Sequence, residues 1–160
     1  MKILLVSDTH RHLGDFFTVL EKVSPVDCIL HMGDVEGDEE VIEAVADCPV
    51  HFVRGNNDFA SGLDRDKELI LDGVRVFMTH GHRYGVSASL KYLEEEGRSR
   101  GAKVVLFGHT HRPVIEYRDD LVLMNPGSLS YPRQQGRKPS FGILEIDRKK
   151  ELHFTIKYLE

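Results

Sequence analysis

The stretch KILLVSDTH, residues 2–10, decides the fold. Residues 2–7 form a continuous apolar run rather than an alternating one, which predicts a strand buried on both faces. A second apolar run covers residues 27–32. Pro25 ends the segment between the two runs, in which apolar residues recur at helical spacing: Leu13, Phe16, Phe17, Leu20 and Val23. Residues 2–32 therefore predict a strand, helix, strand unit.

The alternation of strands and helices continues through the first 58 residues. Asp38, Glu39 and Glu40 place negative charge in the first turn of a second helix, where the helix dipole favours it. Residues 50–54 form a third apolar run. This order predicts a parallel sheet with crossover helices. The inner face of the second helix is expected to carry three apolar residues: Val41, Ile42 and Val45.

The pattern changes in the second half of the chain. Asp72-Gly73 separates two strand-like runs, residues 67–71 and 74–79, and suits a tight hairpin turn. A buried strand is expected at 104–107, and the helix before it is expected to bury three residues: Val86, Leu90 and Leu93. Four later runs without helices between them predict a mainly antiparallel region: residues 114–117, 121–124, 140–146 and 152–158.

These elements together predict an α/β fold, α+β by some schemes, with two packed mixed sheets and helices outside them. The 160 residues fit a single domain, 1–160. Cys28 and Cys48 do not make a disulfide framework, and no apolar stretch is long enough for a signal peptide or a membrane span. We therefore expect a cytoplasmic protein without a membrane partner.

Residues of metal-ligating types follow five of the apolar runs within a few positions. If the runs are strands of neighbouring sheets, these side chains can meet at one edge. Each motif alone also has an ordinary explanation, such as a helix cap at Asp8 or a turn at Asp34. The agreement of order, spacing and strand-end position favours a metal site made of seven residues: Asp8, His10, Asp34, Asn56, His80, His109 and His111.

The spacing of Asp8-x-His10 and of His109-x-His111 shows how two ligands can act together. In an extended segment, residues two apart point to the same side, so Asp8 and His10 could hold one ion. In the same way, His109 and His111 would face one side and could bind one ion each. Oxygen and nitrogen ligands without thiolate suit manganese, iron, zinc, cobalt or nickel. His31 lies inside an apolar run and is expected to be a hydrogen-bonded core histidine, whereas Asp58 is expected to hold the free ring nitrogen of a histidine ligand.

The ordered motifs Asp8-x-His10, Gly33-Asp34, Gly55-Asn56, His80 and Gly108-His109-x-His111 resemble the signature of the calcineurin-like metallophosphoesterases. With Asn125-Pro126-Gly127-Ser128, the small domain resembles their compact prokaryotic phosphodiesterase branch. The resemblance implies a four-layer sandwich of two mixed β-sheets flanked by helices, with two divalent metal ions at one edge. It implies that Asp34 bridges the ions, that Asp8, His10 and His111 hold the first, and that Asn56, His80 and His109 hold the second.

The activity implied by this resemblance is hydrolysis of small phosphodiesters, with a metal-bridging hydroxide as the nucleophile. Manganese is favoured over nickel, zinc, iron or cobalt. Many members have a histidine where this chain has Asn57, which can donate a hydrogen bond but cannot protonate a leaving group. Water or His82 would then supply that proton. Asn125 and Arg133 are further candidates for contact with the substrate, although a solvated loop is the favoured interpretation of the basic segment 131–139.

Two other functions remain open at this level. The first is an inactive scaffold with this fold that binds other proteins. The second is a nuclease acting on short nucleic acid, which is less favoured because the net charge is −5, Trp is absent and the basic residues do not alternate with aromatic ones. The sequence also leaves open whether the protein forms an oligomer.

Overall fold

Strand β1 (Lys2–Val6) lies in the middle of the first of two five-stranded sheets in the computed structural model, which describes residues 1–160. The other four strands, in spatial order, are β10 (Leu152–Tyr158), β9 (Ser140–Ile146), β2 (Cys28–His31) and β3 (Val50–Phe52). Strand β1 pairs in parallel with β2 and antiparallel with β9. The other parallel pair is β2 with β3, and β10 pairs antiparallel with β9 at the edge.

The strands of the second sheet, in spatial order, are β4 (Asp66–Leu71), β5 (Val74–Thr79), β6 (Val104–Leu106), β8 (Val122–Asn125) and β7 (Val114–Tyr117). Its three central strands, β5, β6 and β8, are parallel, and the strand at each edge is antiparallel to its neighbour. The helices are α1 (Gly14–Val23), α2 (Glu39–Val45) and α3 (Lys91–Ser99), with a single 3₁₀ turn at His82–Tyr84.

Three apolar clusters hold the layers together. One lies between the two sheets and includes Ile3 and Leu5 of β1. Leu4 and Val6 of the same strand point the other way, into the cluster that packs against α1 and α2. The third cluster packs α3 against the second sheet. Both faces of β1 are therefore buried, which explains its continuous apolar run and confirms the α/β architecture of two mixed sheets with helices outside.

Several local expectations were wrong. Val41 and Val45 are 46% and 43% exposed, so α2, only seven residues long, buries Ile42 alone. Val86 is buried but lies in the turns before α3, which begins at Lys91. The C-terminal third is mainly antiparallel as expected, except that β8 inserts in parallel beside β6. Periodicity cannot separate a buried turn residue from a buried helix residue, nor parallel from antiparallel pairing.

Candidate metal centre

The seven predicted ligands meet at one edge of the molecule, where five strands end. Strand β1 leads to Asp8 and His10, and its parallel neighbour β2 leads to Asp34. Strand β3, which pairs in parallel with β2, leads to Asn56. In the second sheet, β5 leads to His80 and its parallel neighbour β6 leads to the segment 108–111. The carboxyl ends of parallel neighbours lie at the same edge, so the topology brings distant segments together.

Five of the seven ligand residues have left-handed backbone conformations rather than extended ones. Non-glycine residues rarely adopt a positive φ, and such residues cluster at functional sites. The assumption that Asp8-x-His10 and His109-x-His111 are extended was therefore wrong, although their side chains do converge. The residues and their φ angles are Asp8 (54°), His10 (45°), Asp34 (56°), His109 (69°) and His111 (57°).

The first group of ligand atoms consists of one carboxylate oxygen and two imidazole nitrogens. Asp8 Oδ1 lies 3.2 Å from His111 Nε2 and 3.8 Å from His10 Nε2. The two Nε2 atoms are 3.2 Å apart. Ligand atoms bound to one ion at about 2.0–2.2 Å lie roughly 3.0–3.5 Å from their neighbours, so these spacings suit one ion.

The second group lies beside the first, and Asp34 lies near both. Asn56 Oδ1 lies 2.9 Å from His80 Nε2 and 3.0 Å from His109 Nδ1. Asp34 Oδ2 is 3.4 Å from His80 Nε2 and 3.7 Å from His10 Nε2. The Asp34 carboxylate therefore lies between the two groups, where a shared ligand has to be.

The free ring nitrogens fix how three of the histidines face the site. His80 Nδ1 lies 2.6 Å from the carbonyl oxygen of Met32, and His111 Nδ1 lies 2.7 Å from that of Tyr131. His10 Nδ1 lies 2.7 Å from Glu36 Oε1. An oxygen acceptor at Nδ1 holds the ring proton there in a neutral imidazole, and this leaves the Nε2 lone pair for the site.

These contacts test whether a cation fits. The Nε2 atoms of these three neutral rings and the carboxylate or amide oxygens are acceptors, yet several of them face one another at hydrogen-bond distances. Asp8 Oδ1 is buried and accepts no hydrogen bond from any donor in the protein. A buried acceptor without a donor is unfavourable unless a proton or a metal ion occupies the gap. The donor set and its spacing therefore fit divalent metal ions.

The carboxylates also change the proton affinity of the metal-free site. Burial opposes protonation of His80, but the Asp34 and Asp8 carboxylates outweigh it and raise the pKa of His80 to about 9. Burial likewise opposes ionisation of Asp34, but His80 and hydrogen bonds from Asn57 hold the pKa of this carboxyl well below its usual range. In the metal-free chain, a proton on His80 replaces part of the positive charge that a metal ion would bring.

Asp58 supports the centre, but the predicted histidine partner was wrong. Its carboxylate accepts hydrogen bonds from the backbone N–H groups of Asp34 (2.8 Å), Glu36 (2.7 Å) and Gly55 (2.6 Å). It therefore ties the loop after β2 to the loop after β3. The carboxylate that pairs with a histidine ring is Glu36, a residue that sequence reasoning missed.

Asn125 was wrongly predicted to contact the substrate. The residue is fully buried, and its amide donates to the carbonyl oxygen of Gly108 and to Thr110 Oγ1, while its own oxygen accepts from Gly127 N–H. All its polar atoms are thus used within the protein. Asn125 instead positions the segment that carries His109 and His111.

The remaining predicted site residues lie around the centre. Asn57 donates from its side chain to Asp34 Oδ2 at 2.9 Å and from its backbone to Asp34 Oδ1 at 2.8 Å. The His82 ring lies 5.3 Å from the His80 ring and 5.9 Å from the His109 ring. Burial, together with these two rings, lowers the pKa of His82 to about 4. Arg133 lines a cleft that opens beside His111.

Two serines near Asp8 were also missed. Ser7 Oγ donates to Asp8 Oδ2 at 2.6 Å, and Ser128 Oγ donates to the Asp8 carbonyl oxygen at 2.8 Å. Ser128 belongs to the Asn-Pro-Gly-Ser motif, which gave a sequence signal for it. Ser7 had none beyond its place at the end of β1. Together they fix the left-handed turn in which Asp8 lies.

Comparison with known proteins identifies the family of the chain. The model of the calcineurin-like phosphoesterase superfamily domain matches residues 1–149. The chain belongs to this superfamily. A probable metallophosphoesterase of Methanothermobacter thermautotrophicus is 36% identical over 157 residues, which cover 94% of this chain and 88% of the relative. Phosphodiesterase YfcE of Escherichia coli K12 is 32% identical over 173 residues, covering 92% and 89% respectively.

Among solved structures, Vps29 of Entamoeba histolytica in complex with zinc has the same fold. The TM-score is 0.79 at 20% identity, over 99% of both chains. At that identity the likeness concerns the fold alone. Membership of the superfamily implies divalent metal ions and supports a hydrolase. None of the helices is long and apolar enough to span a lipid bilayer.

Proposed function

We propose that the protein is a binuclear metal-dependent phosphodiesterase that hydrolyses small phosphodiesters. The observation that carries the proposal is the position of Asp34 Oδ2 between two ligand groups, 3.7 Å from His10 Nε2 and 3.4 Å from His80 Nε2. Asp34 would be the shared ligand. The first ion would be held by Asp8, His10 and His111, and the second by Asn56, His80 and His109.

A pair of divalent ions at such a site polarises phosphoryl oxygens and lowers the pKa of a water molecule that can attack phosphorus. The protein's own part is to hold that pair and to orient the ester. Glu36 and two backbone carbonyls fix the histidine rings, and Asp58 fixes the Asp34 backbone. Arg133 lies at the rim, where a phosphate oxygen could accept from its guanidinium.

The identity of the leaving-group acid follows from two side chains. Asn57 has no ionisable proton, and His82, with a pKa of about 4, is neutral at neutral pH. Metal ions nearby would lower the pKa of His82 further. Protonation of the leaving oxygen is therefore assigned to water, and aryl esters, whose leaving groups are stable, should be hydrolysed faster than alkyl esters that bind equally well.

The proposed metal is manganese, with nickel, zinc, iron or cobalt as alternatives, because all seven ligands are oxygen or nitrogen atoms. The proposed compartment is the cytoplasm, and the two free cysteines support it. The alternative function is a scaffold that keeps the fold without hydrolysis. The complete ligand set favours the enzyme.

The decisive experiment combines elemental analysis with an activity assay. Protein treated with EDTA and reloaded with Mn²⁺ should hold about two ions per chain, and should hydrolyse bis-p-nitrophenyl phosphate faster than the monoester p-nitrophenyl phosphate. Each of the other four metals is tested in the same way. A folded protein that binds metal without hydrolysing either ester would support the scaffold, and one that binds no metal would overturn the binuclear site.

A further inference from the structure

Two open clefts adjoin the metal centre, one beside each ligand group. The wide cleft has a volume of 890 Å³ and is lined by His10, Glu36, His111, Arg112, Ser130, Tyr131, Pro132, Arg133 and Arg137. The narrow cleft has a volume of 230 Å³ and is lined by Arg54, Gly55, Asn56, Phe59, Arg65, His82 and Arg83. A substrate bound at Asp34 could therefore extend in two directions.

Each cleft contains three arginines that form no ion pair with the protein. Arg112, Arg133 and Arg137 line the wide cleft. Its one carboxylate, Glu36, already accepts from His10 Nδ1. The narrow cleft is lined by Arg54, Arg65 and Arg83. None of its lining residues is an aspartate or a glutamate.

This concentration of unpaired arginines is specific to the site. Of the twelve arginines in the chain, four form ion pairs with carboxylates, and six of the other eight line the two clefts. The four paired arginines all lie on or near the second sheet and α3: Arg75, Arg98, Arg100 and Arg118. An acidic protein thus keeps its free guanidinium groups beside the metal centre, where they can attract an anion.

Each cleft also presents an exposed aromatic ring. Tyr131 in the wide cleft is 50% exposed, and Phe59 in the narrow cleft is 80% exposed. Phe59 has the highest exposure of the large apolar side chains. Arginines that contact phosphates and aromatic rings that stack on bases are the two elements with which proteins hold single-stranded nucleic acid.

We propose that the substrate of this site is a short single-stranded nucleic acid that passes through both clefts. The scissile phosphate lies at Asp34, the flanking phosphates contact the arginines on either side, and bases stack on Tyr131 and Phe59. This inference rests on the proposed phosphodiesterase activity. Water supplies the hydroxyl group that bonds to phosphorus and the proton that goes to the departing ester oxygen, so the products are a phosphate end and a hydroxyl end.

A smaller or simpler anion would not use these features. A small diester carries one negative charge, which six guanidinium groups exceed, and inorganic polyphosphate has no ring to stack on Tyr131 or Phe59. A strand supplies both charge on each side of the reacting phosphate and a base beside each phosphate. The two clefts therefore favour a nucleotide polymer of at least three residues.

The first test is a binding measurement that needs no hydrolysis. Fluorescein-labelled hexathymidylate is titrated with EDTA-treated protein and followed by anisotropy, with unlabelled dinucleoside monophosphate, trinucleotide and tripolyphosphate as competitors. We expect the trinucleotide to compete about tenfold better than the dinucleoside monophosphate, and binding to weaken steeply with salt. Tripolyphosphate should compete less well than the trinucleotide.

Variants then assign the binding to the clefts. Two triple variants, R112Q/R133Q/R137Q and R54Q/R65Q/R83Q, should each weaken hexathymidylate binding about tenfold or more and flatten its salt dependence. The matched control is Arg148→Gln, an exposed and unpaired arginine in the β9–β10 turn. Because Lys2 of β1 pairs with Glu145, this turn lies at the edge opposite the site. Phe59→Ala should weaken binding, whereas Tyr92→Ala on α3, another exposed aromatic, should not.

The outcomes separate this inference from the proposed function. Equal competition by dinucleoside monophosphate and trinucleotide, or an equal loss in Arg148→Gln and the cleft variants, would overturn the nucleic-acid assignment even if bis-p-nitrophenyl phosphate is hydrolysed. Hydrolysis of neither ester by the metal-loaded protein would overturn the phosphodiesterase and leave the binding result to stand by itself. If the protein is a phosphodiesterase and its clefts bind nucleic acid, each triple variant should have a lower ratio of kcat/KM on hexathymidylate to kcat/KM on bis-p-nitrophenyl phosphate.

Discussion

The edge that carries the metal centre and the outer side of the second sheet use arginine in opposite ways. On the outer side, Arg98 lies 2.6 Å from Glu94 and 2.8 Å from Asp120, and Arg100 lies 2.7 Å from Glu96 and 3.0 Å from Glu68. At the site edge, six arginines have no carboxylate partner. Arginine side chains on the outer side are neutralised by carboxylates of the protein, whereas those at the site edge are free to bind an external anion.

The two regions also differ in their backbone. The outer side consists of regular elements, β4, β5 and α3, and within β4, β5 and the turn between them only Asp72 and Gly73 have a positive φ. At the site edge, five of the seven ligand residues have a positive φ. Left-handed conformations of non-glycine residues are unfavourable by about 1–3 kcal/mol each, so surrounding contacts must hold them. The comparison suggests that stability is set on the outer side and in the core, whereas the site edge is organised for binding.

The largest effect is expected at the proposed shared ligand. Asp34→Ala should lower kcat/KM on bis-p-nitrophenyl phosphate by roughly a thousandfold or more and should abolish metal retention with it, because both ligand groups lose a member. Elemental analysis and the ester assay measure the two effects on the same sample. The control is Asp38→Ala, since the Asp38 side chain makes no cap hydrogen bond at the start of α2. Full activity in Asp34→Ala would refute the bridging role.

The next effect concerns His31, which was expected to be a core histidine and is one. Gly33 N–H donates to its Nδ1 at 3.2 Å, so the Nε2–H is left to donate to Thr9 Oγ1 at 2.9 Å. The ring is fully buried, and burial lowers its pKa to about 4. The unfolded chain takes up a proton below about pH 6.5 that the folded chain resists. Stability is therefore lost as the pH falls from about 6.5 towards 4, by roughly 3 kcal/mol.

Urea unfolding of EDTA-treated protein between pH 7 and pH 4.5 checks this linkage. His31→Gln should be less stable at pH 7 but should lose less stability on acidification than the original chain. His12→Gln, which removes an exposed histidine, serves as the control. The same acid dependence in His31→Gln and in the original chain would show that other groups account for it.

Much of the fold could be predicted because burial leaves a direct mark on the sequence. The apolar run of β1 predicted a strand that is buried on both faces. The ligand-type residues that follow this strand predicted which edge of the sheet carries the site. The predicted burial of Val41 and Val45 was wrong because the spacing of apolar residues indicates which face of a helix could be buried. It does not indicate whether another layer of the protein covers that face. The start of α3 was missed because Val86 is buried without being helical.

The site was predictable in its residue types and less so in its geometry. Metal ligands are chemically distinctive, so Asp8 and His111 could be picked from the sequence. Their left-handed backbone could not, because Asp and His adopt a positive φ more often than other non-glycine residues but still only in a small minority of cases. Glu36 is one of many acidic residues until the fold places it beside His10. The clefts were hidden because their arginines come from separate segments between residues 54 and 137.

A smaller effect is expected at Asn57, on the site side of the comparison. Asn57→His should raise kcat/KM about tenfold or more for a dinucleoside monophosphate, whose leaving alcohol needs a proton. The gain on bis-p-nitrophenyl phosphate should be much smaller, since its leaving group is already stable. Asn57→Gln keeps an amide donor without an acid and should show no such selectivity. Equal gains on both esters in Asn57→His would show that the asparagine does not mark a missing acid.

The smallest effect should come from the outer side. Arg98→Gln removes the exposed ion pairs with Glu94 and Asp120, which stabilise the fold little because water screens them. Urea unfolding should therefore shift little, and metal content, ester hydrolysis and hexathymidylate binding should stay as they are. Arg133→Gln has no ion pair to lose, so its stability should change even less, while its binding should fall. A reversed pattern, in which Arg98→Gln weakens binding and Arg133→Gln weakens folding, would break the distinction between paired and free arginines.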